Sequence, residues 1–291
     1  MTLTAIISYI VNGILMGGLY GLTSAAWSFQ CGALKFANFA YGACIMFTMY
    51  LTYWPIAMWG WPVPLTLVFV LVFNVVLGWV MRKTVLRPNN RNTQILCTMG
   101  LQLIIINLAN FFFTSYPRDF GLLEKRFYFT ENISIGLTQL FCFVLSGAIL
   151  IGFQLFLNKT WTGRAIRAVV QNRDVASLMG VKSERILDLA FSISYIMIAI
   201  AGIMLMTMFT VDPNFGTTWQ SYAFIICISA GIGNLYGAFL SGLIIGVVSS
   251  LIKGIVGPFY HDPILYAMFV IILLLRPYGI FNKAENVART I

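Results

Sequence analysis

Charged side chains are scarce in this 291-residue chain: Asp, Glu, Lys and Arg together make up 9%, where a soluble domain carries roughly 25%. Hydrophobic residues make up 59%, more than a soluble core of this size can hide, so an ordinary soluble fold is excluded. Histidine is nearly absent, and the single His261 cannot build a multi-histidine metal site. No Cys-x-x-Cys pair occurs. Cys31, Cys44, Cys97, Cys142 and Cys227 all fall within or at the edge of apolar stretches, so they read as small buried hydrophobes rather than redox or metal groups. The phosphate-binding pattern Gly-x-x-x-x-Gly-Lys-Ser/Thr is also missing; Gly180-Val181-Lys182-Ser183 comes nearest but lacks the first glycine and its spacing. The chain therefore carries no nucleotide-hydrolysing loop of its own. Acids number 9 against 18 basic residues, for a net charge of +9. The basic residues sit between apolar segments, a pattern that orients membrane proteins and argues against nucleic acid as a partner. The N-terminus shows no basic n-region and no evident cleavage site, so the first helix is expected to be retained.

Apolar residues, by contrast, recur at regular intervals. About 172 hydrophobic side chains, at ~20 per membrane-spanning helix, fill about eight spans. Runs occur at 4–29, 36–53, 62–81, 94–113, 134–157, 187–209, 221–232, 236–252 and 260–275. They predict an all-α polytopic membrane protein of eight or nine transmembrane or re-entrant helices, forming a single transmembrane domain over 1–291. The run 221–232 is only 12 residues long, with Gly231, Gly233 and Gly237 around the break at its end, which suits a half-helix or re-entrant segment. Trp54, Trp59 and Trp61 cluster at one turn, where amphipathic rings anchor in the headgroup region.

Loop charge sets the expected orientation. Arg82, Lys83, Arg87 and Arg91 stand without an acid between two runs, and 158–186 holds Lys159, Arg164, Arg167, Arg173, Lys182 and Arg185 against Asp174 and Glu184. The loop 114–133 is balanced, with Arg118, Lys125 and Arg126 facing Asp119, Glu124 and Glu131. The positive-inside rule makes the first two cytoplasmic and the third external. By parity the N-terminus is external, and Arg276, Lys283 and Arg289 of the C-terminal tail lie in the cytoplasm with Lys35.

Two small-residue stripes mark helix packing. Gly13, Gly17 and Gly21 share one face of the first helix at a spacing of four, and Ala238, Gly242, Gly246 and Ser250 do so later in the chain; such faces let backbones approach closely. The polar residues inside the runs are neutral: Asn12, Asn38, Asn74, Gln102, Asn107 and Asn110, each expected to bond across to a neighbouring helix. A mid-bilayer charge costs ~2.5–3.5 kcal/mol and marks proton or ion coupling, and none is placed there. His261 with Asp262 has no obvious nucleophile partner and reads as an external loop residue.

The segment 158–186 is long for a connection. Thr162 is the expected N-cap of a short helix over 163–170, Asn172 of a second helix that ends at Gly180, and Ser183 of the next span, with Glu184 in its first turn. Val175, Leu178 and Met179 share one face of the second short helix. From the residues alone, that face fits either a partner's groove or an anionic lipid surface.

The segment Thr162-Gly163-Arg164-Ala165-Ile166-Arg167-Ala168-Val169, followed by Asp174-Val175-Ala176-Ser177-Leu178-Met179-Gly180-Val181, resembles the cytoplasmic coupling loop of the branched-chain amino-acid ABC importer permeases. Three further stretches agree in order: Gly17-Gly18-Leu19-Tyr20-Gly21-Leu22 with Ala37-Asn38-Phe39-Ala40-Tyr41-Gly42, then Ala230-Gly231-Ile232-Gly233-Asn234-Leu235-Tyr236-Gly237-Ala238, then Arg276-Pro277-Tyr278-Gly279-Ile280-Phe281. The family has histidine where this chain has Tyr41 and proline where it has Tyr236, so the resemblance leaves urea, short amides or sugars open beside amino acids. It implies a non-enzymatic transport subunit in a bacterial inner membrane. No cofactor belongs to this chain, ATP and Mg being held by two ATP-binding-cassette ATPase subunits. Further partners are a second permease, identical or homologous, an extracytoplasmic substrate-binding protein and membrane lipid. Coupling would run through Gly163, Arg164, Arg167, Asn172, Asp174, Ala176, Leu178 and Gly180. Candidate pathway residues are Asn12, Asn38, Tyr41, Asn234 and Tyr236. Gly13, Gly17, Gly21, Gly242 and Gly246 would serve helix packing. A self-sufficient carrier or channel is the competing class.

Overall fold

The computed structural model describes residues 3–85, 90–120, 126–130, 133–277 and 279–281. Arg87, Glu124, Lys125, Glu131, Tyr278, Lys283 and Arg289, which entered the orientation and motif readings, lie outside the described residues. In chain order the elements are α1 (Leu3–Leu34), α2 (Tyr41–Ala57), α3 (Val63–Thr84), α4 (Arg91–Phe113), β1 (Arg126–Thr130), β2 (Ile133–Gly136), α5 (Leu137–Lys159), α6 (Trp161–Gln171), α7 (Arg173–Leu178), α8 (Ser183–Met208), α9 (Phe215–Ala230), α10 (Leu235–Ile255), a 3-10 turn (Pro258–Tyr260) and α11 (His261–Leu275). Each of the nine apolar runs forms a helix. Among the described residues, seven helices are long and apolar enough to cross a membrane, against the eight or nine expected. The shortfall lies in α2 and α9, with 17 and 16 residues; at 1.5 Å per residue α9 reaches about 24 Å, less than the ~30 Å hydrocarbon core.

Large apolar side chains lie bare at helical spacing on α3 (Val68, Val72, Val76, Trp79) and α4 (Leu96, Leu103, Ile104, Phe111). In water such faces would drive aggregation; in lipid they are the ordinary outer surface of a bundle whose backbone bonds are closed within each helix. The fold is all-α and polytopic. It adds one feature that the hydropathy did not indicate, a hairpin in which β1 pairs antiparallel with β2, with an irregularity between Tyr128 and Thr130.

The chain forms two compact units. The first comprises Met1–Ser28, Gly121–Leu150 and Tyr222–Ile291. Here α1 lies along α10 at backbone distance: a Cβ on Gly13 would stand 2.6 Å from the Cα of Val247, and one on Gly17 2.7 Å from that of Leu243. A Cβ on Gly246 would stand 2.5 Å from Gly17 Cα. The two stripes therefore face each other, each supplying the space the other needs. The break after α9 turns on Gly231 and Gly233, both at positive φ. It is tied down by Gly233 N donating to Ser28 Oγ at 3.0 Å and Ile280 N donating to the Ser229 carbonyl at 2.7 Å.

The second unit comprises Phe29–Phe120 and Ile151–Ser221. Its centre is α8, packed on α2 and α3. Three contacts decide the packing. Gly78 of α3 leaves room for the Tyr195 ring, Gly202 receives Thr48 of α2, and the Thr48 hydroxyl donates to Asn74 Oδ1 at 3.0 Å. Asn74 is thus an interhelical bond, as expected. Asn107 and Asn110 differ from expectation: each donates to the carbonyl four residues back in its own helix, a local way to satisfy the amide.

Candidate functional site

The second unit carries the segment with the most organised local chemistry, the reversal from α5 through α6 and α7 into α8. Thr160, not Thr162, caps α6: its Oγ1 accepts from Gly163 N at 3.1 Å, and α6 begins two residues earlier than expected. Gly163 lies against the end of α5, where a Cβ would overlap the Leu157 backbone. Arg167 then closes the turn, donating to the Leu157 carbonyl and, at 2.7 Å, to Asn158 Oδ1. A cation there satisfies carbonyls that the end of α5 leaves without partners. Gly163 and Arg167 thus fix the angle at which α6 leaves α5, while Arg164 points outward.

Asn172 caps α7 as expected, accepting from the N–H groups of Asp174 and Val175, both at 3.1 Å. Asp174 adds an acid in the first turn, where the helix dipole favours it. At the other end Val181 N reaches back to the Ala176 carbonyl and Gly180 N to that of Ser177, the paired bonds of a Schellman ending. That ending places Gly180 at φ 82°, where any side chain would be strained. Ala176 is buried, whereas Val175, Leu178 and Met179 are 54%, 87% and 80% exposed. A six-residue helix capped at both ends thus holds three large apolar side chains outward.

Ser183 differs from its expected role. It is the first residue of α8, and its hydroxyl donates to the Arg173 carbonyl at 3.2 Å instead of capping its own helix. Glu184, in the first turn of α8 as expected, accepts ion pairs from Arg173 and, at 3.1 Å, from Arg82 of α3. Arg82 also reaches Asp188 at 3.4 Å. The Arg82 side chain is only 10% exposed, so these carboxylates compensate a charge largely removed from water. A cavity of 310 Å³ beside them is lined by Lys35, Arg82, Gln94, Arg173 and apolar residues. The result is an ion-paired link from α7 to the start of α8 and the end of α3. From the sequence Arg82 reads as an orienting charge and Arg173 also as a flank of the short helix; their shared partner Glu184 lies 102 and 11 residues away.

The candidate pathway residues divide between the units. In the second, Asn38 is fully buried, donating to Gln30 Oε1 at 3.1 Å and accepting from Ala40 N, and Tyr41 is fully buried at the start of α2. In the first, Asn234 caps α10 through Gly237 N at 2.9 Å, Tyr236 is exposed, and Asn12 borders a 410 Å³ cavity. His261 is not a loop residue. It opens α11, is 2% exposed, and joins Ser249 and Asp262 at 2.6 Å each. Chain separation of 12 residues hid Ser249 as its partner. Ser249 sits inside α10, whose own amides are engaged in the helix.

Long apolar helices with bare apolar faces, and a capped surface helix tied by ion pairs to two of those helices, define a multi-pass membrane protein. Residues 9–273 match the family described as branched-chain amino acid transport system, permease component, and the chain belongs to that family. It is 27% identical to the high-affinity branched-chain amino acid transport system permease protein BraD of Pseudomonas aeruginosa, over 95% of each chain. It is 26% identical to the corresponding LivH protein of Escherichia coli K12 over 94% of each. A probable branched-chain amino acid transport permease protein LivH of Methanocaldococcus jannaschii is 26% identical over 84% of this chain and 82% of its own. These relatives are permease components of transport systems, not enzymes. No solved structure matches.

Proposed function

We propose that this chain is the permease subunit of an ATP-binding-cassette importer that carries branched-chain or related small zwitterionic amino acids across the inner membrane, its two units acting as one permease domain. The relatives' names point to the solute. The observation that carries the coupling half is the α7 face: Val175, Leu178 and Met179 lie bare on a helix whose base is tied through Arg173, Glu184 and Arg82 to α3 and α8. An apolar face on a short, fixed helix suits a partner's groove, and the ion pairs make its displacement a displacement of two spans. The groove belongs to ATPase subunits holding ATP and Mg, paired below two permease chains; an extracytoplasmic binding protein delivers the solute. The N-terminus then faces outward and the C-terminus inward, with 158–186 in the cytoplasm.

The test is the reconstituted importer carrying Gly163→Pro or Leu178→Asp. Both variants are expected to assemble yet to lose substrate-stimulated ATP hydrolysis and uptake. Normal coupled transport by both would overturn the assignment.

A further inference from the structure

The first unit contains a polar cavity that the coupling reading does not use. Tyr9, Asn12, Met16 and Tyr20 lie at helical spacing on one face of α1, and Gly246, Ser249, Ser250, Lys253 and Gly254 on one face of α10; together they border an open cavity of 410 Å³, within the range of small-molecule sites. Among the described residues, one cation lines this space and no carboxylate does. Asp262 stands within electrostatic range of Lys253, but its Oδ1 already receives the Tyr222 hydroxyl at 2.7 Å and His261 Nδ1 at 2.6 Å.

That double engagement orients the lining. A carboxylate at Nδ1 keeps the proton on that nitrogen, so Nε2 accepts and Ser249 Oγ must donate to it. The Ser249 oxygen, its own proton committed, then presents lone pairs to the cavity it lines. Asn12 is arranged alike: its amide nitrogen donates to Ser8, the carbonyl at 2.9 Å and Oγ at 3.4 Å, which leaves its oxygen to accept. The cavity therefore gathers the Lys253 cation, the Ser250 hydroxyl, acceptor oxygens of Asn12 and Ser249, and the apolar Met16.

We infer that this cavity is a binding site for a small zwitterion, with Lys253 and Ser250 taking a carboxylate, Asn12 and Ser249 taking an ammonium group, and the Asp262–His261 pair acting as a positioning element that fixes Ser249 as an acceptor. Leucine as the probe rests on the proposed amino-acid reading; the charge pattern of the site does not. A carboxylate and an ammonium group also come together in the headgroup of phosphatidylserine, so the test separates the two sources.

The full chain is placed in phosphatidylcholine nanodiscs and titrated with radiolabelled L-leucine in the micromolar to millimolar range. Saturable binding is expected, competed at least about tenfold less well by leucinamide, which lacks the carboxylate, and by isovalerate, which lacks the ammonium group. Lys253→Met is expected to weaken binding about tenfold or more, and Lys253→Arg to retain most of it. His261→Gln is expected to weaken the contribution of the leucine ammonium, so that leucine and isovalerate bind more alike; a purely structural role would weaken both equally. If discs containing phosphatidylserine lose leucine binding and the lipid co-purifies in a Lys253-dependent way, the zwitterion is the lipid's. Absence of saturable leucine binding together with absence of Lys253-dependent lipid retention would overturn the site, as would leucine binding unchanged in folded Lys253→Met. An importer that hydrolyses ATP and transports leucine normally with Lys253→Met removes this site and leaves the proposed function standing.

Discussion

Arg82 illustrates how little a residue's own neighbourhood in the chain reveals. It lies at the end of an apolar run among basic residues, where it reads as an orienting charge, yet its partners Glu184 and Asp188 come from the start of α8. Arg82→Met would leave Asp188 without its cation and Glu184 with Arg173 alone. For a fully buried pair such a change costs about 3–5 kcal/mol. Glu184 is 62% exposed and solvent screens it, so a loss of about 1–2 kcal/mol is expected, read as a lower unfolding temperature in detergent. Adding Asp188→Asn should restore part of it, since the stranded charge is then gone. Glycines give a second contrast at this scale. Gly246→Val would force the α1 and α10 backbones apart and should cost about 1–3 kcal/mol or more, whereas Gly100, with nothing within 4 Å of its added Cβ, should accept alanine without loss. The stripes themselves were legible because a spacing of four survives as sequence. That they face each other was not, because more than two hundred residues separate Gly17 from Gly242.

Among the elements, α7 was legible almost to the residue. Its signals are local: Asn172 three residues before Val175, Gly180 after the last turn, and an i, i+3, i+4 apolar set. Its neighbour α6 shows where local signals compete. Thr160 and Thr162 are both capping residues, and the choice of Thr160 follows from Gly163 lying on Leu157, a contact set by the turn back from α5. His261 marks the same boundary: α11 starts at that residue because the 3-10 turn delivers it to Ser249, and hydropathy alone shows only an apolar run with a polar edge. The exposed face of α7 yields a prediction at this scale. Leu178→Asp removes no buried contact, since Leu178 is 87% exposed, so the purified chain should keep its unfolding free energy within about 0.5 kcal/mol. ATP-coupled uptake should be lost at the same time. A stability loss of several kcal/mol would show instead that α7 packs within its own unit.

For the whole molecule the question is where the work of transport originates. Accumulating a neutral solute a hundredfold takes about 2.8 kcal/mol, and a chain that supplies this itself needs a proton or ion path through the spans. The charged groups of the first unit's spans, Lys253, His261 when protonated, and Asp262, gather where α10 ends and α11 begins. Those of the second unit's α3 and α8, Arg82, Lys83, Glu184, Arg185 and Asp188, gather at the end of α3 and the start of α8. Among the described residues none of these groups is followed along its helix by a second charge at mid-span, so neither cluster continues as a relay. Proteoliposomes holding this chain alone should therefore fail to accumulate leucine under an imposed proton or sodium gradient, and should do so only when the ATPase subunits, the second permease, the binding protein and ATP are supplied. The Asp262–His261–Ser249 chain holds a titratable group inside the first unit, which makes the contrary result specific. Uphill uptake by the chain alone, abolished by His261→Gln, would turn that chain from a positioning element into the start of a proton path, and the importer into a carrier.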